Sequence, residues 1–303
     1  MLKNQSHSYN RPWNINKRYR FNCSNMNEIQ ILKYNGGEGG RSKYVDIGTF
    51  EGQKVVIQRL RPILRSGDQH VRLVKFLKNL LMSDQLDHPS LVKVLGYCFR
   101  HTKGEAGYEH TPYFGDVSVV YEYGGMGLDL NALNRTIAER LNHAADLASL
   151  LSYLHYSPLG SLADFDIKPA HFKMLNGKIK LIDLDHMNNV EPTCSLTLST
   201  SHKNFKPCPF NISCQELTEI EMRYTKCQTV KCALGVCRGT NVKYNLQKMN
   251  IFFQVLLKPK FFPDALKYSL SRLLTQLNKT DIGVDDLEKE IRNITLAYTN
   301  LKT

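Results

Sequence analysis

Ala163-Asp164-Phe165-Asp166-Ile167-Lys168-Pro169, followed by Ile182-Asp183-Leu184-Asp185, is the stretch that decides how this 303-residue chain reads. A D-x-K-P loop stands directly after a helical pattern over 136–156. There Ala144, Leu147, Leu150, Leu151 and Leu154 recur at helix spacing, and the pattern ends in Tyr153-Leu154-His155. Two short strand patterns around 173–182 then flank Asn176-Gly177, a dipeptide suited to a tight hairpin turn. Asp183 closes the run Lys180-Leu181-Ile182 and opens a loop, the posture of a metal-holding carboxylate. Taken singly, each acidic residue reads as a surface charge or a helix cap, and the joint order carries the argument.

Upstream the chain changes character. Residues 1–27 are polar and Asn-rich and predict a loose N-terminal arm. Ile29–Leu32 begins a strand, and Asn35-Gly36-Gly37-Glu38-Gly39-Gly40 makes a turn open to positive φ. Tyr44–Ile47 and Lys54–Gln58 are β-branched runs that predict a hairpin. Residues 68–86 predict an amphipathic helix through Val71, Val74, Leu77, Leu80 and Leu81, stopped by His88-Pro89. Strands follow at 91–97 and 117–123, with a loop at 101–116 between them. Downstream, residues 241–257, 264–278 and 284–300 all predict helices. The expected fold is therefore α+β and bilobal: a small β-rich lobe over 28–123 and a larger helical lobe over 124–303. A cysteine-rich insert occupies 191–239.

Phosphoryl transfer needs a nucleotide held still, metal to neutralise phosphate charge, and a carboxylate to orient the attacking hydroxyl. Candidates for each occur in order. Gly36, Gly37, Gly39 and Gly40 can let backbone N–H groups approach phosphates, and they equally suit an ordinary hairpin turn. Asp166 is the candidate catalytic carboxylate, Lys168 a partner for the γ-phosphate, and Asp183 the metal ligand.

Composition sets the surroundings. The net charge of +12 suggests acidic partners, a polyanion such as a glycosaminoglycan among them, but Lys and Arg are scattered and read first as a solvated surface. The nearest approach to a patch is Lys17, Arg18 and Arg20 with Arg59, Arg61 and Arg65. Nothing points to specific nucleic-acid binding. No run reaches the roughly 20 apolar residues of a membrane span. Six of the eight cysteines, Cys194, Cys208, Cys214, Cys227, Cys232 and Cys237, crowd into the insert. That density suits disulfides in an oxidising compartment, ahead of zinc, whose common CxxC pairs are missing. Their pairing stays open. Sequons begin at Asn4, Asn22, Asn134, Asn211, Asn278 and Asn293. They favour the secretory pathway, although residues 1–30 hold no apolar signal-peptide core.

Over residues 30–300 the chain resembles the protein kinase family. Lys54–Gln58 stands at the V-A-I-K strand, Leu86-Asp87-His88-Pro89-Ser90-Leu91-Val92 leads to the fourth strand, and Asp183-Leu184-Asp185 replaces D-F-G. Val120-Tyr121-Glu122-Tyr123 resembles the hinge, so Glu122 and Tyr123 are expected beside adenine and Gln58 beside the phosphates. Further motifs are similar to the extracellular lonesome-kinase family: Ser157–Leu162 before the loop, Val190-Glu191-Pro192-Thr193-Cys194 after it, Asn241-x-x-Tyr244-Asn245-Leu246, and Gly283-Val284-Asp285. That family lacks A-P-E and carries a cysteine-rich insert in its region. The resemblance implies a secreted or lumenal enzyme that phosphorylates tyrosine in proteins, using ATP with Mg²⁺ or Mn²⁺. Asp183, Asp185 and His171 are then the expected metal ligands.

Three positions depart from the kinase pattern. Gln58 replaces the strand lysine, Asn79 the helix glutamate, and His171 the metal-binding Asn. Replacing both members of an ion pair avoids leaving one charge buried alone. It also removes a positive charge from the phosphate site. Lys43 and Arg41 are the better candidates to replace it, since Arg59 follows Gln58 on a strand and points to the other face. His171 is open to ligation or to an ordinary hydrogen-bonded core role. Two readings stand: an active kinase, or a pseudokinase that keeps the fold as a binding module.

Overall fold

The computed structural model describes residues 19–34, 43–60, 66–99, 117–128, 135–194, 230 and 233–301. Gly36, Gly37, Gly39, Gly40 and Arg41, most of the cysteine-rich insert, and the sequons at Asn4, Asn134 and Asn211 lie outside these residues. The chain divides into two compact units. One holds the chain to Leu86 and then Val92–Tyr123, and the other holds Asp87–Leu91 and Gly124 onward.

The N-terminal unit is an antiparallel sheet with one helix. Its strands are β1 (Gln30–Lys33), β2 (Lys43–Phe50), β3 (Gln53–Leu60), β4 (Val94–Phe99) and β5 (Val117–Glu122), in the order β1-β2-β3-β5-β4. Helix α1 spans Ser66–Gln85. The fourth strand starts later than its pattern predicts because Leu91 pairs elsewhere, with Leu181. Val55 and Ile57 of β3 and Val120 of β5 form a core with Phe21 and Ile29. On its other face β3 presents Gln58, which pairs in register with Val45 of β2.

Residues 19–27 belong to this core rather than to a loose arm. Phe21 is fully buried, and its N–H donates to the Leu95 carbonyl at 3.1 Å. Gly96 makes the approach feasible: a Cβ there would meet the Phe21 carbonyl oxygen at 2.1 Å. A disulfide between Cys23 and Cys98 joins the arm to β4. Sequence spacing cannot announce this pair, because 75 residues separate its members. Two members of the expected basic patch are paired here. Arg20 bridges Glu51 and Gln53, and Arg59 bridges the buried Asp46.

The C-terminal unit is built on α2 (Ile137–His155), α3 (Thr240–Leu256), α4 (Asp264–Lys279) and α5 (Val284–Asn300). Thr136 starts α2 with a reciprocal capping box: its hydroxyl accepts the Glu139 N–H, and Glu139 accepts the Thr136 N–H. Leu147, Leu150, Leu151 and Leu154 of α2 are wholly buried with Phe252 and Phe253 of α3 and with Leu287 and Ile291 of α5. Short strands complete the unit: β6 (Met126–Gly127), β7 (Ala163–Asp164), β8 (Phe172–Leu175), β9 (Lys178–Leu181) and β10 (Met187–Asn188). β8 and β9 form the hairpin predicted around Asn176-Gly177, where both residues adopt positive φ. The architecture is the α+β, kinase-like one.

The His88-Pro89 strap belongs to this C-terminal unit. The Asp87 N–H donates to the Tyr153 hydroxyl oxygen, and Leu181 donates its N–H to the Ser90 carbonyl at 2.8 Å. Ser90 N–H donates to His88 Nδ1, so Nε2 carries the ring proton toward Ser149. Burial pushes the His88 pKa down to about 4 and keeps the ring neutral.

Opening the Cys23–Cys98 bond frees a long loop in the unfolded chain. Cys23→Ala should cost about 2–5 kcal/mol, read as a lowered denaturant midpoint relative to the wild type under non-reducing conditions.

Candidate active site

The expected catalytic residues gather in the C-terminal unit. β7 pairs antiparallel with β10, Asp164 opposite Met187 and Ala163 opposite Asn188. β8 pairs with β9, Phe172 opposite Leu181, and the Ile182 N–H donates to the His171 carbonyl at 3.0 Å. These two ladders lay the Asp183-Leu184-Asp185 loop beside the Asp166 loop. Lys168 Nζ lies 2.7 Å from Asp166 Oδ2. His171 Nε2 stands 3.7 Å from Asp166 Oδ2 and 3.6 Å from Asp183 Oδ2. His186 Nε2 approaches Asp185 at 3.5 Å. Asp166, Lys168, His171, Asp183 and Asp185 therefore share one neighbourhood.

A further carboxyl lies beneath them. Asp164 is fully buried; its Oδ1 accepts the Asp166 N–H at 3.0 Å, and its Oδ2 has no hydrogen-bond partner. Burial, then the negative charges of Asp183, Asp166 and Asp185, push its pKa up to about 7, against the Asp166 N–H bond, which lowers it. A protonated carboxyl fits this place, because an unpartnered buried oxygen is costly as part of an anion.

The backbone leading to Asp166 is held by one face of α3. Asn245 donates to the Leu162 carbonyl at 2.8 Å and accepts the Asp164 N–H at 3.0 Å. Asn241 donates to the Ser161 carbonyl at 2.8 Å, and Tyr244 donates to the Phe165 carbonyl at 3.3 Å. Positions i, i+3 and i+4 lie together on a helix, which is why these three residues meet one strand. Glu191 anchors the start of α3, where no side-chain cap exists: its carboxylate accepts the Gly239 N–H at 2.8 Å and the Asn241 N–H at 3.4 Å. Pro192 and Gly235 accept backbone bonds from Cys237 and Cys194, and both cysteines are disulfide-bonded. Sequence reading quoted Asn241, Tyr244, Asn245 and Glu191 as motif positions but assigned them no task. The physical reason is that amides buried on a helix face need partners.

The N-terminal unit holds the other expected residues. Gln58 and Asn79 are 7% and 2% exposed, and Asn79 Nδ2 lies 3.4 Å from Gln58 Oε1 and 3.0 Å from the Tyr121 hydroxyl. The two substituted positions thus face each other as a neutral amide pair. Lys43 shares the Gln58 face of the sheet, two residues along β2 from Val45, whereas Arg59 lies on the opposite face with Asp46. Glu122 accepts the Lys93 N–H at 3.0 Å, and Lys54 stands over the Tyr123 ring at 5.5 Å.

The residues fit a divalent cation on chemical grounds. Asp164, Asp166, Asp183 and Asp185 lie close enough for three of them to raise the pKa of the fourth. Among the described residues no three His, Cys, Asp or Glu side chains form a ready-made cation cage. Mg²⁺ does not require one, since it keeps waters and takes one or two carboxylates plus phosphate oxygens.

A β-rich unit with an amide pair at the lysine–glutamate positions, and a helical unit with Asp166, Lys168 and Asp183 on paired loops, make a kinase-like fold, and the chain is similar to members of the protein kinase superfamily. Within it, the chain is similar to the extracellular tyrosine-protein kinase PKDCC of Homo sapiens, at 27% identity over 236 residues, 78% of this chain and 42% of that protein. It is 29% identical over 168 residues to protein O-mannose kinase of Gallus gallus, covering 51% of this chain and 38% of that protein. It is 28% identical over 155 residues to a probable serine/threonine-protein kinase, PBL21, of Arabidopsis thaliana, covering 48% and 35%. The chain thus spans less than half the length of each of these relatives. No family model matches it.

Two predictions follow from the buried carboxyl and its clamp. Asp164 has a raised folded pKa, so its contribution to stability is present below the unfolded value and is lost as pH rises from about 4 through about 7. Asp164→Asn should flatten that part of the profile, measured as thermal midpoint against pH beside the wild type. Asn245→Leu leaves the Asp164 N–H and the Leu162 carbonyl buried without partners, and should cost about 2–4 kcal/mol in chemical denaturation.

Proposed function

We propose that the protein is a secretory-pathway kinase that transfers the γ-phosphoryl group of ATP to tyrosine in extracellular or lumenal proteins. The observation that carries this reading is the Asp166 loop: Lys168 paired to Asp166 at 2.7 Å, with Asp183 approached across His171 at 3.6 Å. An acceptor hydroxyl beside Asp166 gives its proton to that carboxylate as the oxygen attacks phosphorus. Lys168 then shifts its charge from Asp166 toward the transferring phosphoryl oxygens. Asp183, assisted by Asp185 and by His171 as neutral imidazole, would hold Mg²⁺ or Mn²⁺, which when bound neutralises phosphate charge. Asp164, its pKa pushed up to about 7 by burial, adds less negative charge behind them than an ordinary carboxylate. Glu122 and Tyr123 remain the candidates for adenine, and Gln58 for the phosphates.

Tyrosine as acceptor and an extracellular or lumenal location rest on the similarity to an extracellular tyrosine-protein kinase. The disulfide-bonded Cys23, Cys98, Cys194 and Cys237 support an oxidising compartment. Among the described residues no helix is long and apolar enough to cross a membrane.

One observation favours a second reading, a pseudokinase that binds partners without transferring phosphate. The hydrogen-bonded Gln58–Asn79 pair puts no cation where kinases hold the α/β-phosphates.

Titration with ATP and Mn²⁺ or Mg²⁺ should raise the thermal midpoint, and Asp183→Ala should abolish that rise. Transfer to a tyrosine-bearing protein substrate should fall roughly 100-fold or more in Asp166→Asn. A midpoint unmoved by saturating nucleotide and metal would sink the kinase reading. The pseudokinase reading instead expects nucleotide affinity to appear only in the double variant Gln58→Lys with Asn79→Glu.

A further inference from the structure

Three sequons fall on described residues, and the fold treats them differently. Asn22-Cys23-Ser24 lies on the exposed turn that precedes the short helical turn at 26–28. The Asn22 side-chain oxygen accepts the Ser24 N–H at 2.8 Å and the Ser24 hydroxyl at 2.6 Å. Both donors meet the amide oxygen of this exposed residue, and neither takes up its amide nitrogen. The turn is local, since Asn25 closes it on the Asn22 N–H at 2.9 Å, so it needs no distant residue to form. Asn293 is exposed on α5, whose buried side carries Leu287, Ile291 and Ile294.

Asn278 is different. Its side-chain oxygen accepts from Asn250 at 2.8 Å and from Gln254 at 2.9 Å, and so joins α4 to α3. Asn250 is fully buried, and Thr280 of the same sequon is 4% exposed. A sugar on the Asn278 amide would have to stand between the two helices in place of this network.

We propose that Asn22 and Asn293 carry N-linked glycans and that Asn278 does not. The proposal rests on the secretory-pathway reading given above. The donor is a lipid-diphosphate-linked oligosaccharide, supplied with its transferase by the lumen. The side-chain amide nitrogen forms a bond to the anomeric carbon, the anomeric carbon–oxygen bond to the diphosphate breaks, and the amide gives up one proton as the lipid diphosphate leaves. At Asn22 the glycan stands on the arm beside the Cys23–Cys98 bond, and at Asn293 on the solvent side of α5.

The test is peptide mapping of the full chain expressed in a eukaryotic secretory cell, after enzymatic deglycosylation in ¹⁸O-water, with fractions taken from lumen, medium and cytosol. Protein from lumen or medium should show ¹⁸O-labelled aspartate at 22 and 293 and an unmodified Asn278. Asn22→Gln and Asn293→Gln should each lose one step of gel mobility shift. Lumenal protein labelled at 278, or unlabelled at 22 or 293, overturns the proposal while leaving the secretory reading intact. Protein found only in the cytosol, unlabelled throughout, overturns both. The wild-type map decides even where a variant fails to fold.

Discussion

The hydrogen bonds from Asn245 to the backbone on both sides of Ala163 are the constraint on which the candidate site depends. They fix the strand that ends at Asp164, and Asp164 in turn accepts the N–H of Asp166. The pairing of β7 with β10 is itself only two residues long. Such a pair is too short to persist on its own ladder. The helix therefore supplies the rigidity that the short strands lack. Asn241 and Tyr244 extend the grip one residue in each direction.

That dependence runs on into the cysteine-rich segment. Glu191 holds the start of the same helix, and the residues after it bond to the backbone around Cys237. The described ends of the cysteine-rich segment are thus joined to the helix that holds the Asp166 loop. The N-terminal unit solves a separate problem. Two neutral amides, Gln58 and Asn79, satisfy each other and the Tyr121 hydroxyl where an ion pair would otherwise be buried. A matched neutral pair avoids the large cost of desolvating two charges. It also leaves no cation at either of these two positions.

Much of the fold was legible because the C-terminal helices are amphipathic and long, and periodicity over such lengths is hard to mimic. The Asn176-Gly177 turn was legible because few dipeptides accept its backbone geometry. The start of the fourth strand was misplaced by three residues. Leu91 reads as strand, but as part of the strap it pairs with Leu181 within the C-terminal unit. Residues 19–27 were read as loose because a polar segment with one Phe shows no period. Phe21 finds its place only against Leu95 and Gly96, far along the chain.

The sequence by itself determined the kinase-like fold class and the identity of the chemical groups. Asp166, Lys168 and Asp183 are spaced by a helix, a hairpin and two loops whose lengths are local properties. It also determined that Gln58 and Asn79 change together, since both could be located by counting along their elements. Only the tertiary structure decided what these groups touch: that Asn79 meets Gln58 and Tyr121, that Cys23 joins Cys98, and that Asp164 lies buried among three other carboxylates. The reason is physical. Periodicity and turn chemistry act between near neighbours, whereas burial, pairing and proton affinity are set by whatever the folded chain brings alongside.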